Sequence, residues 1–258
     1  MSPRRTRKSG RLSWIGAALF LLWLAFSFSS LPEVRYLKRE NPKTTAFIER
    51  YREKERAKGR RPAVPMRWTP LSEMSPNLVH AVVIAEDDMF YQHKGVDWES
   101  VREAARYNWE KKRLRRGAST ITQQLARNLY LSPSRNPLRK LKEFLIARRL
   151  EENLSKRRIL ELYMNVAEWG PGIYGAPEAC RVYYGKSPAD ITPDEAVALA
   201  AALPSPKRWN PGRPAGPKLL KRREVLLNRM RAAGWLPSST TDYALPIEDQ
   251  ETYSPPSL

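Results

Sequence analysis

The chain has 258 residues and 41% apolar content, enough for a core of its own, so general disorder is excluded. Its 46 Lys and Arg outnumber 27 Asp and Glu, a net +19, and the chain therefore seeks anions: nucleic acid, an anionic membrane surface or a phosphorylated substrate. Cys180 is the only cysteine and His80 and His93 the only histidines, which rules out an internal disulfide, a Cys-based metal site and an HExxH site.

Residues 12–31, LSWIGAALFLLWLAFSFSSL, run for about twenty positions without a charge, the length of a transmembrane helix. Arg4, Arg5, Arg7, Lys8 and Arg11 precede them with no acid among the first eleven residues. The positive-inside tendency then keeps a basic tail, 1–11, in the cytoplasm and puts everything after residue 32 outside. A cleaved signal peptide is the rival reading, but the apolar run is long for one and SFSSLPE is a poor cleavage site. Without those five cations, 41 basic residues still face 27 acidic ones, about +14. An external domain has little access to nucleic acid, so lipid headgroups or lipid-linked phosphate become the expected anions.

The next segment, 32–67, is charged and weakly periodic; it reads as a juxtamembrane stalk, best taken as a solvated spacer. From there the punctuation is helical. Ser75-Pro76 and Asn136-Pro137 each pair an N-cap with a first-turn proline, and Thr192-Pro193-Asp194-Glu195 forms a capping box. DEAVALAAALPSP and KLLKRREVLLNRMRAAG extend the pattern, so the fold class is mainly α. Residues 236–258, rich in Pro, Ser and Thr, read as a loose tail, and Cys180 as a small core residue.

A helix starting at Pro76 puts Val79, Val82 and Val83 on the face of Glu86. Desolvation at the end of that stripe raises the Glu86 pKa, and Asp87 and Asp88 push the same way, which suits proton transfer near neutral pH. A helix end fraying into a polar loop explains the position equally well. In RRGASTITQQLARNLYL, Ser119 is the expected N-cap, its turn a phosphate cradle, with Gln123 and Arg127 one turn apart. A capped amphipathic helix with Leu125 and Leu129 inward accounts for most of that pattern as well. Arg139 and Lys140 share a helix face with Glu143 and should hold it ionised, the opposite environment from Glu86. Two carboxylates with opposed surroundings, 57 residues apart, suggest a divided acid/base pair beside an anion site. Glu151, Glu152, Arg157 and Arg158 read instead as a surface salt-bridge lattice.

EDDMFYQHKGVD, GASTITQQLARN, RKLKEFLIARRLE, SKRRILELYMN and GPGIYGAPEACRVYYGKSPADIT follow in the order seen in family 51 glycosyltransferases. From about Trp68 to Pro211 the chain resembles the monofunctional biosynthetic peptidoglycan transglycosylases. It departs at Ala118, where a second glycine is usual, and at Arg127, where lysine is common. The resemblance implies a lysozyme-like, two-lobed glycosyltransferase domain over 68–235, preceded by the single transmembrane helix. It implies an enzyme on the outer, periplasmic face of the cell membrane that polymerises glycan strands from lipid II. The growing glycan would leave undecaprenyl pyrophosphate for the 4-hydroxyl of N-acetylglucosamine. By motif position Glu86 would be the general base and Glu143 the second essential glutamate, assisting diphosphate departure. Ser119, Gln123, Gln124, Arg127, Asn128, Arg135 and Lys140 would line the substrate site. No cofactor is obligatory; a divalent cation such as Mg2+ would be an aid, without a dedicated ligand cluster. Expected partners are lipid II, the growing strand, anionic lipid and transpeptidases or division proteins, and not nucleic acid. No Ser-x-x-Lys or Lys-Thr-Gly signature occurs, and the chain stops about 47 residues after Pro211, so peptide cross-linking is assigned to another protein. Two competing readings are a muramidase-like hydrolase and a noncatalytic, membrane-tethered wall-binding protein.

Overall fold

The computed structural model describes Trp14 and residues 31–112, 118–134 and 136–236. The chain divides into two units, Met1–Glu33 and Val34–Leu258. The basic tail, most of the expected anchor at 12–31, Arg135 and everything beyond Leu236 lie outside the described residues. Among the described residues no helix is long and apolar enough to cross a membrane. Leu236, the first residue of the expected loose tail, is buried.

The second unit is mainly helical. In chain order its α-helices are α1 (Ala46–Arg56), α2 (Pro76–Glu86), α3 (Trp98–Glu110), α4 (Ile121–Tyr130), α5 (Pro137–Asn153), α6 (Lys156–Val166), α7 (Ala176–Tyr184), α8 (Pro193–Ala202) and α9 (Pro217–Ala232). A short antiparallel pair, β1 (Glu168–Gly170) and β2 (Ile173–Tyr174), separates α6 from α7. The turn glycines make that insertion possible. At Gly175, φ is +84° and a Cβ would sit 2.5 Å from the Asn165 carbonyl oxygen, so only glycine lets the hairpin return against the end of α6.

Capping chemistry fixes the helix starts. Pro76, Pro137 and Pro193 each open a helix, as the sequence indicates. The Asn136 side chain accepts from the Leu138 amide at 2.9 Å, and Thr192 and Glu195 form the reciprocal capping box. Ser75 occupies its N-cap position, yet its hydroxyl donates to the Ile191 carbonyl at 3.0 Å and ties the start of α2 to the chain entering α8.

α2 buries Leu78, Val79, Ala81, Val82, Val83 and Ile84, and α8 buries every residue from Ala196 to Ala202. Alanine on the facing helix lets the two axes approach closely, and α9 packs against both. A second group is formed by α4 against α5 and α6, with α1 on α4.

Residues 32–67 are not a solvated spacer. Val34, Leu37, Ile48 and Val64 are buried, and Ile48, Val64 and Tyr174 form a core cluster with Phe47, Tyr51 and Met66 packed on it. Arg158 donates to the Leu37 carbonyl at 2.8 Å, the Glu40 carbonyl at 2.9 Å and Asn41 at 2.8 Å, and its guanidinium lies over the Trp68 ring. Four apolar anchors thinly spread among charges bury their side chains without producing a periodic stripe, which is why the pattern looks solvated. Arg158 is thus a strut, not part of a surface lattice. Glu151 departs from that expectation too: its side chain is 8% exposed and is held by Lys156 at 2.8 Å and the Thr122 hydroxyl at 2.5 Å. Glu152, paired with Arg148, does sit at the surface.

Candidate active site

The last residue of the buried helix α2 is Glu86. Its side chain is only 9% exposed because the helix carries it to the edge of the core before the backbone turns at Asp87. The Gln124 amide nitrogen, on α4, donates to Glu86 Oε2 at 2.9 Å. Glu86 Oε1 has no hydrogen-bond partner; the Arg222 guanidinium on α9 lies 3.7 Å away and donates to the Ala85 carbonyl. Burial pushes the Glu86 carboxyl above the usual range. The Gln124 bond and the positive charges of Arg222 and Arg127 oppose that rise, and Asp87 adds to it. Asp88, expected to push likewise, instead pairs with Arg229 at an exposed position where water screens it.

Asp87 has a different task. Its side chain is 2% exposed, accepts the Ile121 amide at 2.8 Å in the first turn of α4, and bonds His93 Nε2 at 2.9 and 3.1 Å. The Gly95 amide donates to His93 Nδ1 at 3.1 Å, so Nδ1 is the acceptor and Nε2 carries the hydrogen given to Asp87. The Thr120 hydroxyl donates to the Gly95 carbonyl at 2.7 Å. A carboxylate at a helix N-terminus meets both unsatisfied amides and the positive end of the dipole. Asp87 and His93 therefore dock the loop after Glu86 onto α4 and fix the position of Gln124 relative to the carboxylate.

The N-cap of α4 is Thr120 and not Ser119. The Thr120 hydroxyl accepts the Gln123 amide at 3.2 Å while the Gln123 side chain accepts the Thr120 amide at 3.3 Å. Only Thr120 has a glutamine three residues later, whereas Ser119 has Thr122 there, so the reciprocal box selects the register. Ser119 is thereby released, and its hydroxyl accepts from Lys140 Nζ at 2.9 Å.

Glu143, one turn beyond Arg139 and Lys140 on α5, is 1% exposed. Arg139 donates to one carboxylate oxygen and Lys140 to the other. Lys140 also lies 3.5 Å from Gln123 Oε1. Neither cation is buried alone with Glu143: the Lys140 side chain remains 45% exposed, so the pair presents positive charge outward from a buried anchor.

An open cleft of about 90 Å3 joins these parts, lined by Glu86, Asp87 and Asp88 together with Ala118, Ser119 and Thr120. Glu86 borders it directly, and the Glu143 cluster reaches it through Lys140 and Ser119. The two glutamates thus flank the start of one helix rather than opposite surfaces. Among the described residues no three His, Cys, Asp or Glu side chains converge as metal ligands would.

A transglycosylase family model matches residues 54–231. A biosynthetic peptidoglycan transglycosylase of Nitrosospira multiformis is 40% identical over 219 residues, 83% of this chain and 95% of its own. One from Thiobacillus denitrificans is 43% identical over 219 residues, 84% and 94% of the two chains. One from Rhodospirillum centenum is 45% identical over 171 residues, 66% and 73%. The chain belongs to the biosynthetic peptidoglycan transglycosylase family. It is accordingly an enzyme, a glycosyltransferase.

The transglycosylase match reaches beyond Trp68–Pro211 on both sides, taking in the end of α1 and nearly all of α9. That extension covers Arg222, which the sequence shows only as one cation in a basic helix. Of the substrate-site residues suggested by resemblance, Ser119 and Gln123 gather at Lys140, and Gln124 turns to Glu86. Arg127 lies over the Phe47 ring, 5.8 Å to its centre, with Nε buried and unpartnered, and its positive charge acts on Glu86. Asn128 is buried. Tyr163 and Arg222 carry no sequence signal, because each meets Gln124 or Glu86 across the fold, and Asp87 reads in the sequence only as a charge beside Glu86, not as the acceptor of the Ile121 amide. The His93 and Asp87 pair falls within one motif, and its i to i+6 spacing in a loop carries no signal by itself.

Proposed function

We infer that this transglycosylase polymerises peptidoglycan glycan strands from lipid II, with Glu86 as the base. The 4-hydroxyl of the incoming N-acetylglucosamine gives its proton to Glu86, and the freed oxygen forms a bond to C1 of the donor sugar. The C1–O bond to undecaprenyl pyrophosphate breaks, and the diphosphate leaves with the electron pair. A carboxyl lifted by burial is matched to taking a proton near neutral pH. The observation that carries this reading is the buried Glu86 carboxylate at the cleft, one oxygen held by Gln124 and the other without a hydrogen-bond partner.

Glu143 is read as organising Arg139 and Lys140, whose charge stabilises the departing diphosphate and so assists the developing positive sugar from a distance. A divalent cation enters as an aid held by substrate phosphate. The architecture is read as the two-lobed, lysozyme-like domain of the family, anchored by residues 12–31 with its catalytic part on the outer, periplasmic side. Confinement to the surface that holds a lipid substrate raises its effective concentration. The transpeptidase signatures are absent from these 258 residues, so no cross-linking step is ascribed to them. Incubating the purified protein with lipid II tests the reading: polymeric glycan supports it, and release of disaccharide fragments from finished peptidoglycan without polymerisation replaces it with hydrolysis.

A further inference from the structure

The Glu86 carboxylate is asymmetric, and the asymmetry is built from three helices. Gln124 donates to Oε2 at 2.9 Å through its amide nitrogen, while its amide oxygen accepts the Tyr163 hydroxyl at 3.1 Å. Tyr163, on α6, is 1% exposed, and a primary amide has one acceptor end and one donor end. Because the tyrosine hydroxyl occupies the acceptor end, the donor end is the one turned to Glu86. If the amide reversed, its oxygen would face a carboxylate oxygen, two acceptors without a hydrogen between them.

Resting on Glu86 as the base, we propose that Tyr163 and Gln124 are positioning residues that lock the Glu86 carboxylate in one orientation by holding its Oε2. Neither needs to touch substrate. Gln124 was assigned to the substrate site by resemblance; its geometry assigns it to the base. The other groups facing the carboxylate are Arg222 from α9, Arg127 from α4 and Asp87 after α2, and none of them bonds the Gln124 amide. Tyr163 is held at the back of this relay, where its phenol is pushed far above its ordinary range by burial and by Glu86, so it stays a hydroxyl donor across the working pH range.

The sign of the effect follows from the bond. The amide donor stabilises ionised Glu86, and losing it raises the pH at which the base becomes protonated. The acid limb of activity then moves up. Lipid II polymerisation by the full-length protein would be followed from acid to neutral pH for the wild type, Tyr163→Phe, Gln124→Ala, the double variant and Glu86→Gln. Tyr163→Phe and Gln124→Ala should each lower kcat about tenfold with KM held within about twofold, and raise the acid limb by about 0.5–1 pH unit. The double variant should be no worse than either single one, because the two act as one unit. Gln124→Ala, at a half-buried position, gives the same reading should the buried Tyr163→Phe fail to fold. Unmoved acid limbs, or single effects that multiply in the double variant, overturn the relay while an inactive Glu86→Gln leaves the base in place. An active Glu86→Gln overturns the base and the relay with it.

Discussion

Gln124 and Glu86 are 38 residues apart in the chain and meet at 2.9 Å, amide nitrogen to carboxylate oxygen, where the end of α2 abuts the first turns of α4. The contact joins the two helical groups of the unit at the point where the cleft opens. Its neighbours on either side, Asp87 on the Ile121 amide and Lys140 on Ser119, place the second carboxylate on the far side of the same helix start.

Glu86 should cost the protein stability. Its folded pKa lies above the value in the unfolded chain, so the native state is favoured below the unfolded pKa and loses that advantage as pH rises through the folded pKa. Glu86→Gln should therefore raise Tm near neutral pH and leave it nearly unchanged at acid pH, where the native carboxyl is already protonated. Thermal unfolding at the two pH values checks this, and an equal shift at both would contradict it.

Much of this arrangement is legible in the sequence, and the division is physical. Helix starts follow from local chemistry, so Pro76, Pro137 and the Thr192 box are readable without tertiary information. Glu86 at the end of a valine stripe and Glu143 one turn after two cations are likewise within-helix relationships. The cap of α4 needed the choice between two adjacent hydroxyls, which turns on the residue three positions later. Contacts across the fold gave no such signal: Asp87 on α4, Tyr163 behind Gln124 and Arg222 beside Glu86 each join elements separated by 34 residues or more.

Glu143 should be needed for turnover through the cations it orders. Glu143→Gln removes the charge that both Arg139 and Lys140 pair with, so turnover should fall at least about tenfold, with little change in overall helix content. Initial rates of lipid II polymerisation and far-UV circular dichroism separate the two effects. Near wild-type turnover would remove Glu143 from the site.

Asp87 should be a stability residue. Asp87→Ala strips a buried acceptor from the Ile121 amide and from His93, a loss of about 2–4 kcal/mol. Urea unfolding measures it; a change below about 0.5 kcal/mol would show that the loop docks onto α4 by other means.

The segment before Trp68 should fold with the domain. Ile48→Ala removes a fully buried side chain and should cost about 2–5 kcal/mol in the same unfolding transition as the rest of the unit. Arg158→Ala should loosen residues 37–41, seen as faster backbone hydrogen exchange there, because three of its donors hold that stretch. Unchanged exchange would mean that the apolar anchors alone hold it.

The base assignment is tested most directly by the initial rate at which purified full-length protein polymerises lipid II, wild type against Glu86→Gln, with thermal unfolding confirming that both are folded. Polymeric glycan from the wild type and a rate about 100-fold to 10,000-fold lower from the variant is the result expected of a lost general base. A folded Glu86→Gln protein that polymerises within about twofold of the wild-type rate would contradict it.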